Sequence, residues 1–388
     1  MCIDFEVAQA EVSRRGLLRI GGGLAVGASA TGLSAPSYAQ AAVSAGHRHD
    51  PRVVLLGVAG GPPPEIGRAG ISSALVIGDR VYVIDCGRGA VTQYAQARLK
   101  FKNLRGIFVT HLHADHVIDF YDFAALPGFG VNDSNDGILA PTATQPAIPV
   151  FGPGRAGGLP PADDPSLPTI APDMPTPGIA DLFRLQTEAF AYSTNLFMRR
   201  AGIPDPRTLF DIHEIDNPVA AGADWTNRAP DMDPFVIFDD GFVKVSAVLV
   251  PHGPVFPSYA YRFDSEEGSV VFSGDTAASQ NVVRLAQGAD MLVHEVIDFK
   301  FYVDFLGLDP SLLQHLLRSH TDVFELGPLA EQAGVERLVL NHLVPADPRL
   351  MSDHTWRKNA RRGYSGRVIV GDDLMSVPMR KRRRTVIG

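Results

Sequence analysis

The stretch Val109-Thr110-His111-Leu112-His113-Ala114-Asp115-His116 decides the fold. It continues the apolar run Ile107, Phe108, Val109, which reads as a buried strand. A strand that empties into a loop lets His111 and His113 point the same way by period-two alternation, while a turn swings Asp115 and His116 toward a neighbouring position. One segment can therefore serve two metal ions. Imidazole nitrogen and carboxylate oxygen suit zinc, and the absence of nearby cysteine points to a catalytic site rather than a closed structural one. A polar surface loop rich in histidine is the bland alternative. Four metal-capable side chains within six positions after a strand argue against it.

The 388 residues are 45% hydrophobic and 20% charged, enough apolar material for a large core and outside the composition of disordered chains. Near the start, Ser13-Arg14-Arg15-Gly16-Leu17-Leu18-Arg19 precedes Gly- and Ala-rich residues up to Leu33 and reads as a twin-arginine export signal, with Ala39-Gln40-Ala41 as the cleavage site. Its apolar part is short and Gly-rich for a transmembrane span of about 20 residues. The expectation is a signal over residues 1–41 and a mature protein in the periplasm or outside the cell. Of the two cysteines, Cys2 lies in that signal, which leaves Cys86 without an intramolecular partner, so stability falls to the core and the metals. Lys and Arg number 35 against 43 Asp and Glu, a net charge of −8. The tail Arg380-Lys381-Arg382-Arg383-Arg384, within residues 380–388, reads as a solvated end. An acidic body and export together disfavour nucleic acid as a partner.

Residues 52–58, 74–77 and 81–84 read as three strands opening a sheet, and 91–100 as a helix returning the chain to the strand before His111. Between Pro127 and Pro177 lie twelve of the thirty prolines, with residues 148–151 as the one strand. This is insertion or cover rather than core. A helix over residues 180–200 follows, and the Pro-rich segment with this helix (127–200) is expected to form a lid over the site or a homodimer contact. Residues 235–238, 243–250, 259–263 and 270–272 are strands of a second sheet. Helices near 278–287, 312–317 and 322–332 then alternate with strands at 291–293 and 337–340, a pattern that suggests a layered α/β sandwich.

His252, Asp275 and His342 stand at the ends of the strands 243–250, 270–272 and 337–340. His294-Glu295 follows the strand 291–293, and His320-Thr321 sits between helices. A single histidine at a strand end is most often structural. Joint placement shifts that balance.

Several motifs carry a resemblance: the Gly-rich turn after the first strand, Ser72-Ser73, Ile84-Asp85-Cys86-Gly87, residues 110–116, Pro251-His252-Gly253 with Ser258-Tyr259, Ser273-Gly274-Asp275-Thr276, His294-Glu295, His320-Thr321 and Asn341-His342. With these, the chain resembles the metallo-β-lactamase superfamily, in the branch of ribonuclease Z and ribonuclease-Z-like arylsulfatases and phosphodiesterases. The resemblance covers nearly all of residues 52–377 and implies a four-layer αβ/βα fold. It implies that His111, His113 and His252 bind one zinc and Asp115, His116 and His342 the other, with Asp275 bridging. His320 would be the proton donor, and Asp85, His294 and Glu295 would support the ligands from behind.

Two zinc ions, or manganese or iron in their place, about 3.5–4 Å apart can hold a bridging hydroxide and clamp the oxygens of a transition state. Asp115 would orient the hydroxide and His320 protonate the leaving oxygen. The expected function is an exported di-zinc hydrolase of a small phosphodiester or sulfate ester. A lactonase or β-lactamase comes second, because Pro251-His252-Gly253 departs from the Pro-Gly-His-Thr pattern of lactonases. Ribonuclease Z acting on transfer RNA and a non-catalytic binding protein rank below. The expected partners are a small-molecule ester and the twin-arginine export machinery.

Overall fold

Alternation along the strands decides the layering. In β1 (Arg52–Gly57), Val53 and Leu55 pack into one apolar cluster while Val54 and Leu56 pack into another. Successive side chains of a strand point to opposite faces, so a strand apolar on both faces is covered on both. The same split holds for Leu75 against Ala74 and Val76, for Tyr82 against Val81 and Val83, and for Phe108 against Ile107 and Val109.

The computed structural model describes residues 50–125, 146–162, 164–216, 221–306 and 310–379. The export signal, the basic tail and residues 127–145 of the Pro-rich segment lie outside the described residues. The described ones belong to one compact unit, Val43–Gly388. Along it β1 is followed by β2 (Ser72–Ile77), β3 (Arg80–Ile84), β4 (Leu104–Phe108), β5 (Ile148–Pro153), β6 (Phe210–Ile215), β7 (Phe235–Asp239) and β8 (Val243–Leu249). Then come β9 (Tyr259–Ser265), β10 (Gly268–Phe272), β11 (Met291–Ile297), β12 (Arg337–Val344), β13 (Arg367–Val370) and β14 (Met375–Pro378). They form two seven-stranded sheets, ordered β14-β1-β2-β3-β4-β5-β6 and β13-β12-β11-β10-β9-β8-β7. Each is part antiparallel and part parallel: β3 to β6 and β10 to β13 are the parallel runs.

The helices are α1 (Ala90–Gln96), α2 (Ala114–Val117), α3 (Phe120–Ala125), α4 (Ile179–Ala189), α5 (Ala191–Ala201) and α6 (Pro206–Leu209) on the first half. On the second are α7 (Gln280–Ala286), α8 (Phe299–Phe301), α9 (Pro310–Ser319), α10 (Val323–Ala333) and α11 (Asp353–Ala360). Tyr94 of α1, Phe120 and Phe123 of α3 and Phe183 of α4 cover the outer face of the first sheet. Leu285, Leu326 and Trp356 do the same for the second. Between the sheets, Phe108 meets Tyr261 and Phe263 edge-on at ring separations of 5.9 and 5.0 Å. Burying an apolar side chain of this size contributes about 1.5–3 kcal/mol. The expected αβ/βα sandwich is what these layers make.

Three expectations need correction. The helix predicted over 180–200 is two helices, because the chain leaves helical geometry at Phe190 (φ −95°, ψ 11°), whose ring stacks on Tyr121 at 5.2 Å. α4 is part of the covering layer, with Ile179 and Phe183 buried, whereas α5 buries none of its residues. His294 and Glu295 lie inside β11 rather than after it. The strands β6, β13 and β14 and the helix α11 have no counterpart among the expected elements; they are short or largely polar and show little periodicity.

Candidate metal centre

Parallel pairing brings the chemistry to one edge. Ile84 lies opposite Phe108, so Asp85 and the residues after Phe108 leave β3 and β4 together. In the second sheet Phe272, Val293 and Val339 are in register, which sets Asp275, Glu295 and the end of β12 side by side. Backbone hydrogen bonds join the two sheets at this edge: Tyr259 N donates to Thr110 O (3.0 Å) and Leu343 N to Val58 O (2.8 Å). Functional groups on strand ends are thus held by a rigid scaffold.

Two ligand sets result. His111, His113 and His252 gather with Asp275, and Asp115 and His116 gather with His342, the ligand atoms of each group lying within 4.8 Å of one another. Asp275 Oδ2 is 3.2 Å from His342 Nε2, 3.4 Å from His116 Nε2, and 3.9 Å from both His111 Nε2 and His252 Nε2. One carboxylate therefore faces both sets. Asp115 Oδ2 lies 3.6 Å from His116 Nε2 and 3.5 Å from His342 Nε2.

Other residues aim the imidazoles. His116 Nδ1–H donates to Asp85 Oδ2 (2.9 Å), which turns Nε2 inward. Asp85 also accepts from Thr110 N (2.8 Å) and from the Thr110 hydroxyl (2.9 Å), and that hydroxyl accepts from His111 Nδ1–H (3.1 Å). His252 Nδ1–H donates to Ser319 O (2.7 Å). Fixing one ring nitrogen leaves the other as the lone-pair donor, the arrangement by which imidazole ligands are oriented. Thr110 and the Ser319 carbonyl had no assigned role in the sequence reading, and backbone carbonyls carry no sequence signal.

His342 reaches the cluster through a backbone irregularity. Glu295 pairs with Asn341 and Val296 with Leu343, so His342 is an extra residue in β12, with φ of 44°. Such a bulge re-aims a side chain out of strand alternation. Gly60 is packed against its ring: a Cβ there would lie 2.3 Å from His342 Nδ1. A Gly60→Ala chain is expected to push His342 aside and weaken one of two zinc equivalents by about 10- to 100-fold, by analogy with lost ligand support. Calorimetric zinc titration checks this, and two equivalents of unchanged affinity would show that the ring has room to move.

The buried polar atoms fit metal ions. His111 Nε2, His116 Nε2, His342 Nε2, Asp115 Oδ1 and Asp275 Oδ1 are buried with no hydrogen-bond partner. Leaving so many such atoms unpaired costs about 1–3 kcal/mol each, which coordination offsets. Burial pushes His111 and His113 below the ordinary imidazole value and His252 down to about 3, which favours the neutral form that can coordinate a metal. For Asp275, burial opposes ionisation but His342 and His116 outweigh it and hold the carboxyl well below its usual range. Asp115 behaves alike: burial opposes ionisation, but the neighbouring imidazoles of His342 and His116 prevail and hold the carboxyl below its usual range. His116 is pulled well above its usual value, burial notwithstanding, by Asp275 and Asp85.

His320 sits at the rim. It lies within ligand reach of Asp275 and His342. Its Nδ1 is nonetheless turned to Glu295 Oε1 (3.2 Å) rather than Asp275 Oδ2 (4.0 Å). Burial works against its protonation, yet the Glu295 carboxylate raises it to about 9. Glu295 Oε1 also accepts from Thr276 N (3.0 Å) and Thr321 N (3.2 Å), which fixes it behind His320. His294 points elsewhere, its Nδ1–H donating to the Glu295 carbonyl at 2.8 Å.

Comparison with known proteins matches this architecture. Residues 66–131 match the family model described as metallo-beta-lactamase superfamily. The chain is 31% identical to ribonuclease Z of Mycolicibacterium paratuberculosis over 329 residues, 84% of this chain and 97% of that one. It is 29% identical to ribonuclease Z of Mycobacterium bovis over 333 residues, 85% and 99% of the two chains. The crystal structure of the short form of human tRNase Z superposes with a TM-score of 0.54 at 18% identity, over 84% of this chain and 99% of that one.

These relatives correct two expectations. The ranking that put a small phosphodiester or sulfate ester first and ribonuclease Z low is overturned, because the full-length relatives are ribonucleases Z. The expectation that nucleic acid is an unlikely partner falls with it. A net charge of −8 sums the whole chain, whereas binding to phosphates depends on where the arginines stand. With fold, paired ligand sets and full-length relatives in agreement, the chain belongs to the metallo-beta-lactamase superfamily, in the ribonuclease Z family, as a metal-dependent hydrolase.

Proposed function

We propose that the protein is a di-zinc ribonuclease that hydrolyses a phosphodiester bond of RNA, with transfer RNA as the substrate class suggested by its relatives' names. The observation that carries this reading is Asp275 facing two complete ligand sets with the His320–Glu295 pair beside them. His111, His113, His252 and Asp275 would hold one ion, and Asp115, His116, His342 and Asp275 the other. The imidazole and carboxylate donor set suits zinc. Bound there, two such ions would supply Lewis acidity and a water ionised near neutral pH.

The chain's own groups do the rest. Asp115, with Oδ1 lacking a hydrogen-bond partner, accepts from and orients the attacking water. As the phosphorus–oxygen bond breaks, His320 gives its proton to the departing oxygen, while Glu295 holds Nδ1 and keeps the ring aimed. Asp85 acts only through His116 and Thr110.

Incubating zinc-loaded protein with a transfer RNA and with an unstructured RNA oligonucleotide tests the reading. Zinc-dependent cleavage that chelator abolishes is expected; intact RNA after prolonged incubation would sink it. Export through residues 1–41 is a separate element of the proposal. Arg14→Lys with Arg15→Lys is expected to hold the precursor in the cytoplasm, and unchanged fractionation would refute a twin-arginine route.

A further inference from the structure

Helix α5 presents a face that the reaction described above leaves unused. Tyr192, Leu196 and the pair Arg199, Arg200 follow at spacings of three and four residues and so share one side of the helix. Tyr192 is 82% exposed and Leu196 45%. Neither arginine has a carboxylate partner among the described residues. Nearby Arg184 and Arg207, by contrast, are tied to Glu188 (3.0 Å) and Asp205 (2.6 Å). No acidic side chain stands on α5 itself. In a chain of net charge −8 this is a local cationic and aromatic strip.

Beside it α5 and α3 enclose a groove of about 150 Å³ walled by Tyr121, Phe190, Phe197, Ile203, Pro204 and Pro206. Ser193, Thr194 and Asp122 line it as well. Phe190, 53% exposed, stacks on Tyr121 with an interplanar angle of 10°. Tyr121, in the groove wall, is five residues past His116 in the chain, with the exposed Ile118 in the segment between them.

We propose that this groove and the outer face of α5 hold a single-stranded segment of the RNA, with one base against Phe190, another stacked on Tyr192, and phosphates on Arg199 and Arg200. The inference rests on the ribonuclease reading and adds where the chain of nucleotides lies. Aromatic faces accept any base, and unpaired arginines supply the phosphate contact, which is the pairing that single-strand binders use. A contact between two copies of the chain would need the apolar area but neither the ring face nor the free cations.

The test uses zinc-loaded full-length protein and a fluorescein-labelled twelve-nucleotide RNA, read by anisotropy across salt concentrations and by gel for cleavage. Arg199→Ala with Arg200→Ala is expected to flatten the log–log salt dependence by about 1.4, two single-strand phosphates at about 0.7 each. Tyr192→Ala and Tyr192→Leu are each expected to weaken binding about 10-fold, with Tyr192→Phe at full affinity. Unchanged affinity and slope in these variants would overturn the surface. So would a wild-type dimer that Tyr192→Leu preserves and Tyr192→Ala breaks, which would make α5 a contact between copies. If wild type binds the RNA as described but never cleaves it, the ribonuclease reading fails and the surface stands; if it cleaves and the variants bind and cleave equally well, the reverse holds.

Discussion

Asp275→Ala is expected to empty both metal sites and lower RNA cleavage by about 10³-fold or more, the scale of losing metal-assisted charge stabilisation. The reason is geometric. Its Oδ2 lies 3.2 to 3.9 Å from imidazoles of both sets, so each set loses its shared anionic ligand at once. The remaining histidines would then have to share two dications with Asp115 alone. Zinc content by elemental analysis should fall from about two equivalents to well under one, the occupancy left by roughly a 100-fold weaker site. Zinc should also cease to raise the melting temperature, because a ligand stabilises only the state that binds it. In wild type, zinc at about 100 times its dissociation constant would add about 2.7 kcal/mol per site. Retention of two equivalents by Asp275→Ala would remove the bridging role.

His320→Ala should separate chemistry from metal binding. Because His320 Nδ1 is engaged by Glu295 and stands 4.0 Å from Asp275, its removal leaves both ligand sets complete. The turnover number is expected to drop by about 10²- to 10⁴-fold, the usual share of a general acid. Zinc content and KM should stay near wild type. Glu295→Gln is expected to cost less, since the amide keeps an oxygen for the Thr276 and Thr321 amides while weakening its hold on His320. Loss of zinc from His320→Ala would instead make His320 a ligand, as its reach to His342 and Asp275 allows.

The residues 111–116 were legible as a metal site because their chemistry is local: ligand types, spacing and the preceding strand occupy one short segment. His252, Asp275 and His342 were legible as candidates because each follows an apolar run, and the two-sheet sandwich followed from strand periodicity. Other features depend on what meets across the fold. The contact of Gly60 with the His342 ring joins residues 282 positions apart and has no pattern in the sequence. The bulge that aims His342 exists only in the register of β11 on β12. At the break between α4 and α5, Phe190 stacks on Tyr121, a contact across the fold with no pattern in the sequence. Charge misled for the same reason: counting 35 cations against 43 anions says nothing of where they stand on the surface. Composition and periodicity report what each segment would bury; only the packed chain decides which groups stand together, since coordination and screened electrostatics act over spatial distances of about 10 Å or less that sequence distance does not measure.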